Sequence, residues 1–483
     1  MAMYSPHVLP DHIKRVPTKL HSSRSWKPFP HFEVPCVSRI SRSQILATNI
    51  VKGSAMMGWT RVISALISLA LPASAFIRLP CSNLVTQRFD PLVTPGEVSP
   101  HVHQIVGGNA FNLSMDPSID YGETATCTTC RFKEDKSNYW TAVLYFRHPN
   151  GSFIRVPQMA NHNTGPGLQA GGMTVYYFQP RPPTKNLNIV PFAKGFRMIT
   201  GNPMRRRDDT DPNDTQSKSI TFRCFHGADP GPFGTPGTGP DDSVEFPRKP
   251  CSGGIRSNIF YPQCWDGVNL DPPDHASHVA HPAGGFFGTD CPDTHPVRLP
   301  LLFVEIVWDT RPFNAPELWP KDGSQPFVFS MGDPTGYGQH ADYVFGWEGD
   351  SLKRAMDVCT SADGIPANCP VLTIQSTHEM NTCRQANRVP EIVEDQYLDK
   401  LPGCNPIQAG PEPATMVPPS ECDAPSTTVN IPEPTESQKA IEPPWTVCHT
   451  GPETHSLAPM CDPTPTATGV EGVEAVVLVT PAP

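Results

Sequence analysis

A histidine and an aspartate stand two residues apart where a glycine-rich loop meets a strand-like run. The loop spans residues 330–338 (SMGDPTGYG), His340 and Asp342 follow it, and the aromatic run 343–347 comes next. Because side chains alternate faces along an extended chain, the two would point the same way. Loops held by a rigid sheet often carry catalytic or binding groups. We therefore interpret His340 and Asp342 as a candidate acid/base or ligand pair.

A second pair with the same spacing consists of His101 and His103, in the stretch HVHQIV. On an extended segment both imidazoles can face one way, and this geometry suits two ligands of one divalent metal. The alternative is that one or both rings hydrogen-bond to loop carbonyls. Both interpretations remain open at this point.

A third polar group lies in residues 264–281, CWDGVNLDPPDHASHVAH. Its acidic, amide and imidazole side chains fall within sixteen residues and follow Trp265; they are Asp266, Asn269, Asp271, Asp274, His275, His278 and His281. Oxygen ligands this dense could hold calcium, but their order does not match an EF-hand loop. A loop that binds sugar hydroxyls, with Trp265 stacking on a sugar ring, fits the same residues. So does a loop that is hydrogen-bonded only within itself.

Together the three segments define a candidate site, provided that they converge in one pocket. The candidate catalytic residues are His101, His103, His275, His278, His340 and Asp342. The candidate substrate-binding residues are Trp265, Asp266, Asn269, Asp271, Tyr337 and Trp347. The cofactor that this pattern suggests is a divalent metal on His101 and His103.

Other catalytic arrangements are poorly supported by the sequence. Glu305 and Asp309 share a face of the apolar run 301–308 and its extension. On a straight strand they would stand about 13 Å apart, whereas paired glycosidase carboxylates are about 5–9.5 Å apart. Glu305 itself would need a partner or a raised pKa inside so apolar a strand. A GxSxG nucleophile motif and a phosphate-binding loop ahead of a helix are missing.

The N-terminal region predicts secretion. Residues 56–75 have the form of a signal peptide, with the basic segment MMGWTR, an apolar run at 62–71 and the small residues ASA at 73–75. The mature chain would start near Phe76, and residues 1–55 would be an extension from a mistaken start codon. Removing residues 1–75 leaves fourteen of the fifteen cysteines, an even number that favours disulfides. Cys127 and Cys130 are then expected in disulfides rather than in a zinc or redox motif. Sequons at Asn112, Asn150 and Asn213 fit the same compartment.

Composition and patterning predict a mainly β fold. The 59 prolines argue against a helical protein, and the net charge of −10 argues against a nucleic-acid surface. Predicted strands are 139–147 and 152–156, which form a hairpin around HPNG, together with 173–179, 220–224, 301–308 and 326–330. One short helix is predicted at 351–359. We expect a sandwich or jelly roll with long Gly/Pro-rich loops over residues 76–401.

Residues 402–483 are rich in Pro, Thr, Ser and Glu and predict a largely disordered tail. The terminal run 473–479 is too short for a membrane span, so no span is predicted in the mature chain.

Five longer motifs resemble one family. They are HVHQIVGGNAF at 101–111, CTTCRFKEDKSNYWTAVLYFRHPNGSF at 127–153, GGIRSNIFYPQCWDGVNLDPPDHASHVAHP at 253–282, THPVRLPLLFVEIVWDTRPFN at 294–314 and GDPTGYGQHADYVFGWEGD at 332–350. They are similar to DUF1996, a fungal secreted domain family of unknown function whose members sometimes carry WSC cell-wall modules. The resemblance covers roughly residues 80–360 and implies an extracellular or wall-associated protein. It supplies no reaction, and no WSC-like module follows here.

These observations predict a secreted protein that acts on or binds cell-wall polysaccharide through a cleft lined by His and Asp. If it is an enzyme, a carbohydrate-active hydrolase or lyase is expected. The alternative is a non-catalytic, disulfide-stapled protein of the cell wall or cell surface.

Overall fold

Antiparallel strands make up most of the regular structure. The computed structural model describes residues 75–416 except 161–168, 181–187, 210–214, 227–238, 287, 289 and 362. The strands in this part are β1 (Ala75–Cys81), β2 (Val85–Phe89), β3 (Val98–Gly107), β4 (Asn138–Ala142), β5 (Leu144–Arg147), β6 (Phe153–Arg155), β7 (Met173–Gln179), β8 (Arg197–Gly201), β9 (Ile220–Cys224), β10 (Asp242–Ser243), β11 (Ile255–Phe260), β12 (Cys264–Trp265), β13 (Val279–Ala280), β14 (Val297–Arg298), β15 (Leu301–Trp308), β16 (Phe327–Phe329) and β17 (His340–Val344). The α-helices are α1 (Tyr121–Thr124), α2 (Ser351–Val358) and α3 (Thr377–Thr382).

Two large sheets pack against each other. One has the strand order β1-β7-β15-β11-β9-β10 and the other β2-β3-β4-β17-β8. Their inner faces share an apolar core in which the Tyr139 and Tyr177 hydroxyls lie 2.7 Å apart and those of Tyr177 and Tyr343 lie 3.1 Å apart. Two three-stranded sheets, β13-β12-β14 and β16-β5-β6, complete the architecture of the described residues. The prediction of a mainly β fold is confirmed.

The apolar run 301–308 forms β15 in the middle of the six-stranded sheet, between β7 and β11. Its one charged residue, Glu305, accepts a hydrogen bond from the Tyr176 hydroxyl at 2.7 Å and pairs with Arg256 at 2.9 Å. The expectation that Glu305 needs a partner is therefore confirmed. A buried carboxylate is tolerated here because its charge and lone pairs are satisfied.

Two predicted strands differ from the observed ones. The stretch 139–147 divides at Val143 into β4, which joins the five-stranded sheet, and β5, which pairs with β6 in the predicted hairpin. At the division, Val143 donates its N–H to the Val102 carbonyl of β3. Strand β17 begins at His340 rather than at residue 343, so His340 and Asp342 lie within a strand. They share one face of it, as expected from their spacing.

Disulfides link distant parts of the chain. The described pairs are Cys81–Cys130, Cys127–Cys383, Cys224–Cys251, Cys264–Cys291 and Cys359–Cys369, and Cys404 is disulfide-bonded as well. Cys127 and Cys130 therefore belong to two different disulfides, which confirms the structural interpretation of this motif.

Residues 402–416, which their composition assigns to the tail, pack on the sandwich. Asn405 donates from its side chain to the carbonyls of Pro100 at 2.9 Å and Ser330 at 3.1 Å. Residues 1–74 and 417–483, which include most of the predicted signal peptide and of the tail, lie outside the described residues, as does Asn213. None of the helices in the described part has the length and apolar character that crossing a membrane requires.

Candidate metal centre

Three imidazoles from two strands meet on the outer face of the five-stranded sheet. His101 and His103 lie on β3 and His340 lies on β17, with β4 between these strands. Ala142 of β4 pairs with His103, and the pairing of Ala341 with Thr141 places Ala142 beside His340 too. Because the Ala142 side chain is a single methyl group, rings from the two flanking strands can meet above it.

The ring nitrogens have the spacing of ligands around one cation. The Nε2 atoms of His101 and His340 are 3.1 Å apart, and those of His340 and His103 are 3.4 Å apart. One nitrogen from each ring lies within 4.8 Å of the others. Tetrahedral zinc, with Zn–N bonds of about 2.0–2.1 Å, would separate neighbouring nitrogens by about 3.3–3.4 Å.

Two of the rings are held by backbone carbonyls. His103 Nδ1 lies 3.0 Å from the Phe89 carbonyl, and His340 Nδ1 lies 3.1 Å from the Gly338 carbonyl. Since a carbonyl oxygen only accepts, each Nδ1 carries the hydrogen, and the Nε2 of each neutral ring is left with a lone pair. The contact between His103 and His340 therefore joins two acceptors, and a cation between them would satisfy both. The second nitrogen of a metal-bound histidine is commonly fixed in this way.

Burial keeps the three rings neutral. His101, His103 and His340 are 8%, 0% and 3% exposed. Burial lowers the pKa of all three, that of His340 to about 4, and the nearby Arg88 and Arg206 lower the pKa of His101 further. Neutral imidazole is the form that binds a metal.

The loop before β17 positions His340. The Asp333 carboxylate accepts hydrogen bonds from the N–H groups of Thr335, Gly336 and Gly338, at 2.8, 3.1 and 2.7 Å. Gly336 has a φ of 91°, a conformation that favours glycine. The resulting tight loop directs the Gly338 carbonyl at His340.

Two buried carboxyl groups lie beside the centre. Asp342 is on the same face of β17 as His340, and neither of its carboxyl oxygens has a hydrogen-bond partner among the described residues. Burial, and then the charge of Asp90, raises the pKa of Asp342 well above its usual value. Burial also raises the pKa of Asp90, to about 6. Asp90 directly follows Phe89, which holds His103.

His275 approaches this region without joining the imidazole cluster. Its Nδ1 hydrogen-bonds to Asp271, which raises the pKa of the ring, and its Nε2 lies 3.1 Å from the Leu92 carbonyl. The turn at 89–92 therefore touches His103 at one end and His275 at the other. The described structure thus brings together His101, His103 and His340. His275 contacts the turn at 89–92 and is not part of the cluster.

Several polar groups in the rest of the 264–281 loop bond within the loop. Asp266 accepts from the N–H groups of Val268 and Asn269, and the Trp265 indole donates to the Asn269 carbonyl. The His278 ring packs on Phe196, with ring centres 5.1 Å apart. The contacts of Asp266 and Trp265 match the interpretation of a loop that is hydrogen-bonded within itself.

The two remaining candidate aromatic residues, Trp347 and Tyr337, have different surroundings. Trp347 is 1% exposed and donates to the Tyr177 hydroxyl at 3.0 Å, so it stabilises the core between the sheets and presents no surface to a ligand. Tyr337 is half-buried beside a groove described below. Sequence reasoning missed Ala142, Phe89 and Asp90, because their roles depend on strand order.

Fold and site together define an antiparallel β-sandwich with a buried three-histidine cluster on one outer face. The family described as "Domain of unknown function (DUF1996)" matches residues 90–347, which is more than half of the 483 residues and includes all three histidines. The chain belongs to this family. Neither the curated proteins nor the solved structures yield a match.

Proposed function

We propose that this protein is a secreted metalloprotein that binds one divalent transition metal through His101, His103 and His340 and acts on cell-wall polysaccharide. The observation that carries the metal is the contact of 3.4 Å between Nε2 of His103 and Nε2 of His340, both of which are acceptors. The alternatives are a neutral His101 that donates its Nε2–H to His340, at 3.1 Å, and a proton that bridges His103 and His340. Burial opposes the bridging proton, because it lowers the pKa of both rings, and a donated hydrogen from His101 would satisfy only one of the two acceptors.

Three imidazole ligands are typical of zinc and copper, and three protein ligands leave a fourth position for water or substrate. A metal in such a site supplies a bound water of lowered pKa or polarises a substrate oxygen. Either chemistry serves a hydrolase or a lyase.

Secretion is supported by the disulfides. Five described pairs and the bonded Cys404 are typical of an oxidising compartment. The expected wall association of the family supports the polysaccharide substrate.

The metal is tested by elemental analysis of the purified protein after dialysis. We expect about one zinc or copper per chain in the wild type and at least a tenfold loss of metal affinity in His103→Gln, since a ligand is removed. His378→Gln is the matched control, because His378 is exposed on α3. Equal metal content in the wild type and His103→Gln, with both proteins folded, would reject the centre.

A second candidate function is non-catalytic, with the metal holding β3 and β17 together in a wall or surface protein. The near-complete burial of all three rings favours it. The two candidates differ in one measurement. A catalytic metal gives polysaccharide cleavage that His103→Gln abolishes, whereas a structural metal gives only a higher unfolding temperature.

A further inference from the structure

A groove of about 930 Å³ lies on the same molecule, apart from the imidazole cluster. Its walls come from the end of β5, the loop before β16, residues 206–207, residues 245–248 and the segment 407–411. We propose that this groove binds a segment of an acidic polysaccharide through its carboxylates. The proposal rests on the proposed function and names its substrate class.

The charged residues that line the groove favour an acidic ligand. Arg147, Arg207 and Lys321 line the groove, are exposed, and form no ion pair with any described residue. The lining has five Arg and Lys side chains and three carboxylates, Glu245, Glu317 and Asp322, of which Glu245 pairs with Arg248. The groove is thus locally basic on a chain of net charge −10. Such a local excess of positive charge attracts anions.

Aromatic residues in the same groove suit a sugar. Trp319 is half-buried, and its indole donates to the Phe313 carbonyl at 2.9 Å, which holds the ring in place. Tyr337 is also half-buried and donates to Glu245 at 3.1 Å. A held aromatic ring offers an apolar face to the C–H side of a pyranose. The volume lies within the range of ligand sites, about 300–1,000 Å³.

A polyuronate fits these features better than a nucleic acid. Nucleic-acid binding depends on many cations along a strand with a phosphate at every residue. Three free cations around held aromatic rings match a few carboxylates on a chain of sugar rings.

Arg206 connects the groove to the metal centre. It lines the groove, donates to the Pro203 carbonyl at 2.7 Å, and lies 3.7 Å from Asp333. Asp333 in turn builds the loop whose Gly338 carbonyl holds His340. A polymer in the groove would therefore lie against the loop that supports one metal ligand.

The test is the affinity of the full chain for polygalacturonate oligomers, measured by calorimetry at low and moderate salt, with dextran as the neutral comparison. In the double variant Arg147→Gln/Lys321→Gln we expect affinity about tenfold weaker and less dependent on salt. Lys353→Gln/Arg354→Gln is the matched control: it removes two exposed charges from α2 and should bind like the wild type. Trp319→Ala should weaken binding without altering its salt dependence.

Any one of three results would contradict the proposal that the groove binds an acidic polysaccharide: equal affinity for dextran, unchanged binding in the double variant, or tighter binding of single-stranded DNA than of polygalacturonate. His103→Gln separates this proposal from the metal centre, because the variant should keep its affinity for the oligomers while it loses metal. Loss of binding in the Arg147/Lys321 variant with full metal content would support the groove alone.

Discussion

At the scale of single residues, the centre depends on Ala142. Two strand spacings of about 4.8 Å each separate β3 from β17, so imidazoles on these strands meet only if the residue between them is small. Ala142 is fully buried and pairs directly with His103. It does no chemistry, yet it leaves the space in which the rings converge.

Replacing Ala142 by leucine should therefore abolish metal binding. The larger side chain would push the His103 and His340 rings apart and cost about 1–3 kcal/mol through overpacking. Metal content and the thermal midpoint would be measured together. Ala142→Ser, which adds one atom, should retain the metal and is the control. A leucine variant that binds metal normally would contradict this account of the site.

Part of the geometry of the candidate site could be predicted from the spacing of single residues, and part could not. The same-face arrangement of His101 and His103, and of His340 and Asp342, followed from a spacing of two, and the two-residue period of a strand holds wherever the strand forms. Their meeting could not be predicted, because His103 and His340 are 237 residues apart in sequence. It depends on β4 lying between β3 and β17, which no local pattern encodes.

At the scale of elements, a hydrogen-bonded tyrosine group joins the two large sheets. Asp135, at the turn before β4, accepts from the Tyr139 hydroxyl at 2.9 Å, and Tyr139 contacts Tyr177 across the sandwich. Asp135 is fully buried, and burial raises its pKa to about 7. Below about pH 7 the protonated form of Asp135 is therefore favoured in the folded protein.

This shift predicts a pH dependence of stability. Between about pH 4 and pH 7 the folded chain holds a proton on Asp135 that the unfolded chain has released, so the stability contributed by this group falls as pH rises. The loss levels off above about pH 7, since both states are then ionised. In Asp135→Asn this component should be absent. Urea unfolding at pH 5 and pH 8 should show the variant gaining stability relative to wild type at the higher pH, and a constant difference would refute the assignment.

Strands that are buried within a large sheet were predicted with the correct bounds. The runs 173–179, 220–224 and 301–308 match β7, β9 and β15, because apolar, β-branched residues buried on a central sheet leave a clear pattern. The start of β17 was missed, since its first residues, His340 and Asp342, are polar but buried. Buried polar residues on one face of β17 interrupt the apolar pattern that predicts a strand, and they do so at the candidate site itself.

At the scale of the whole molecule, the segment after residue 401 is part of the folded unit. The Asn405 amide donates to the carbonyls of Pro100 and Ser330, and these residues adjoin His101 and the loop before β17. The segment thus fastens the start of β3 to the end of β16.

Asn405→Ala should lower the stability of the whole fold. It leaves two partly buried carbonyls without their donor, at a cost of about 1–3 kcal/mol. Because Pro100 precedes His101, faster metal release is also expected. Thermal unfolding and the rate of metal transfer to a chelator would measure both effects. Asn430→Ala, in the Pro/Thr-rich region, is the comparison, and equal values for the two variants would contradict the role of Asn405.

The disulfides of Cys127 and Cys130 also constrain the order in which the protein can be made. Cys130 bonds to Cys81, 49 residues earlier, whereas Cys127 bonds to Cys383, 256 residues later. During synthesis Cys127 therefore cannot form its native disulfide until most of the chain has emerged, and until then it can carry a free thiol beside Cys130. Attack by this thiol on the neighbouring disulfide is the nearest available exchange reaction. We expect correct maturation to need a disulfide isomerase, and recombinant yields to depend on one.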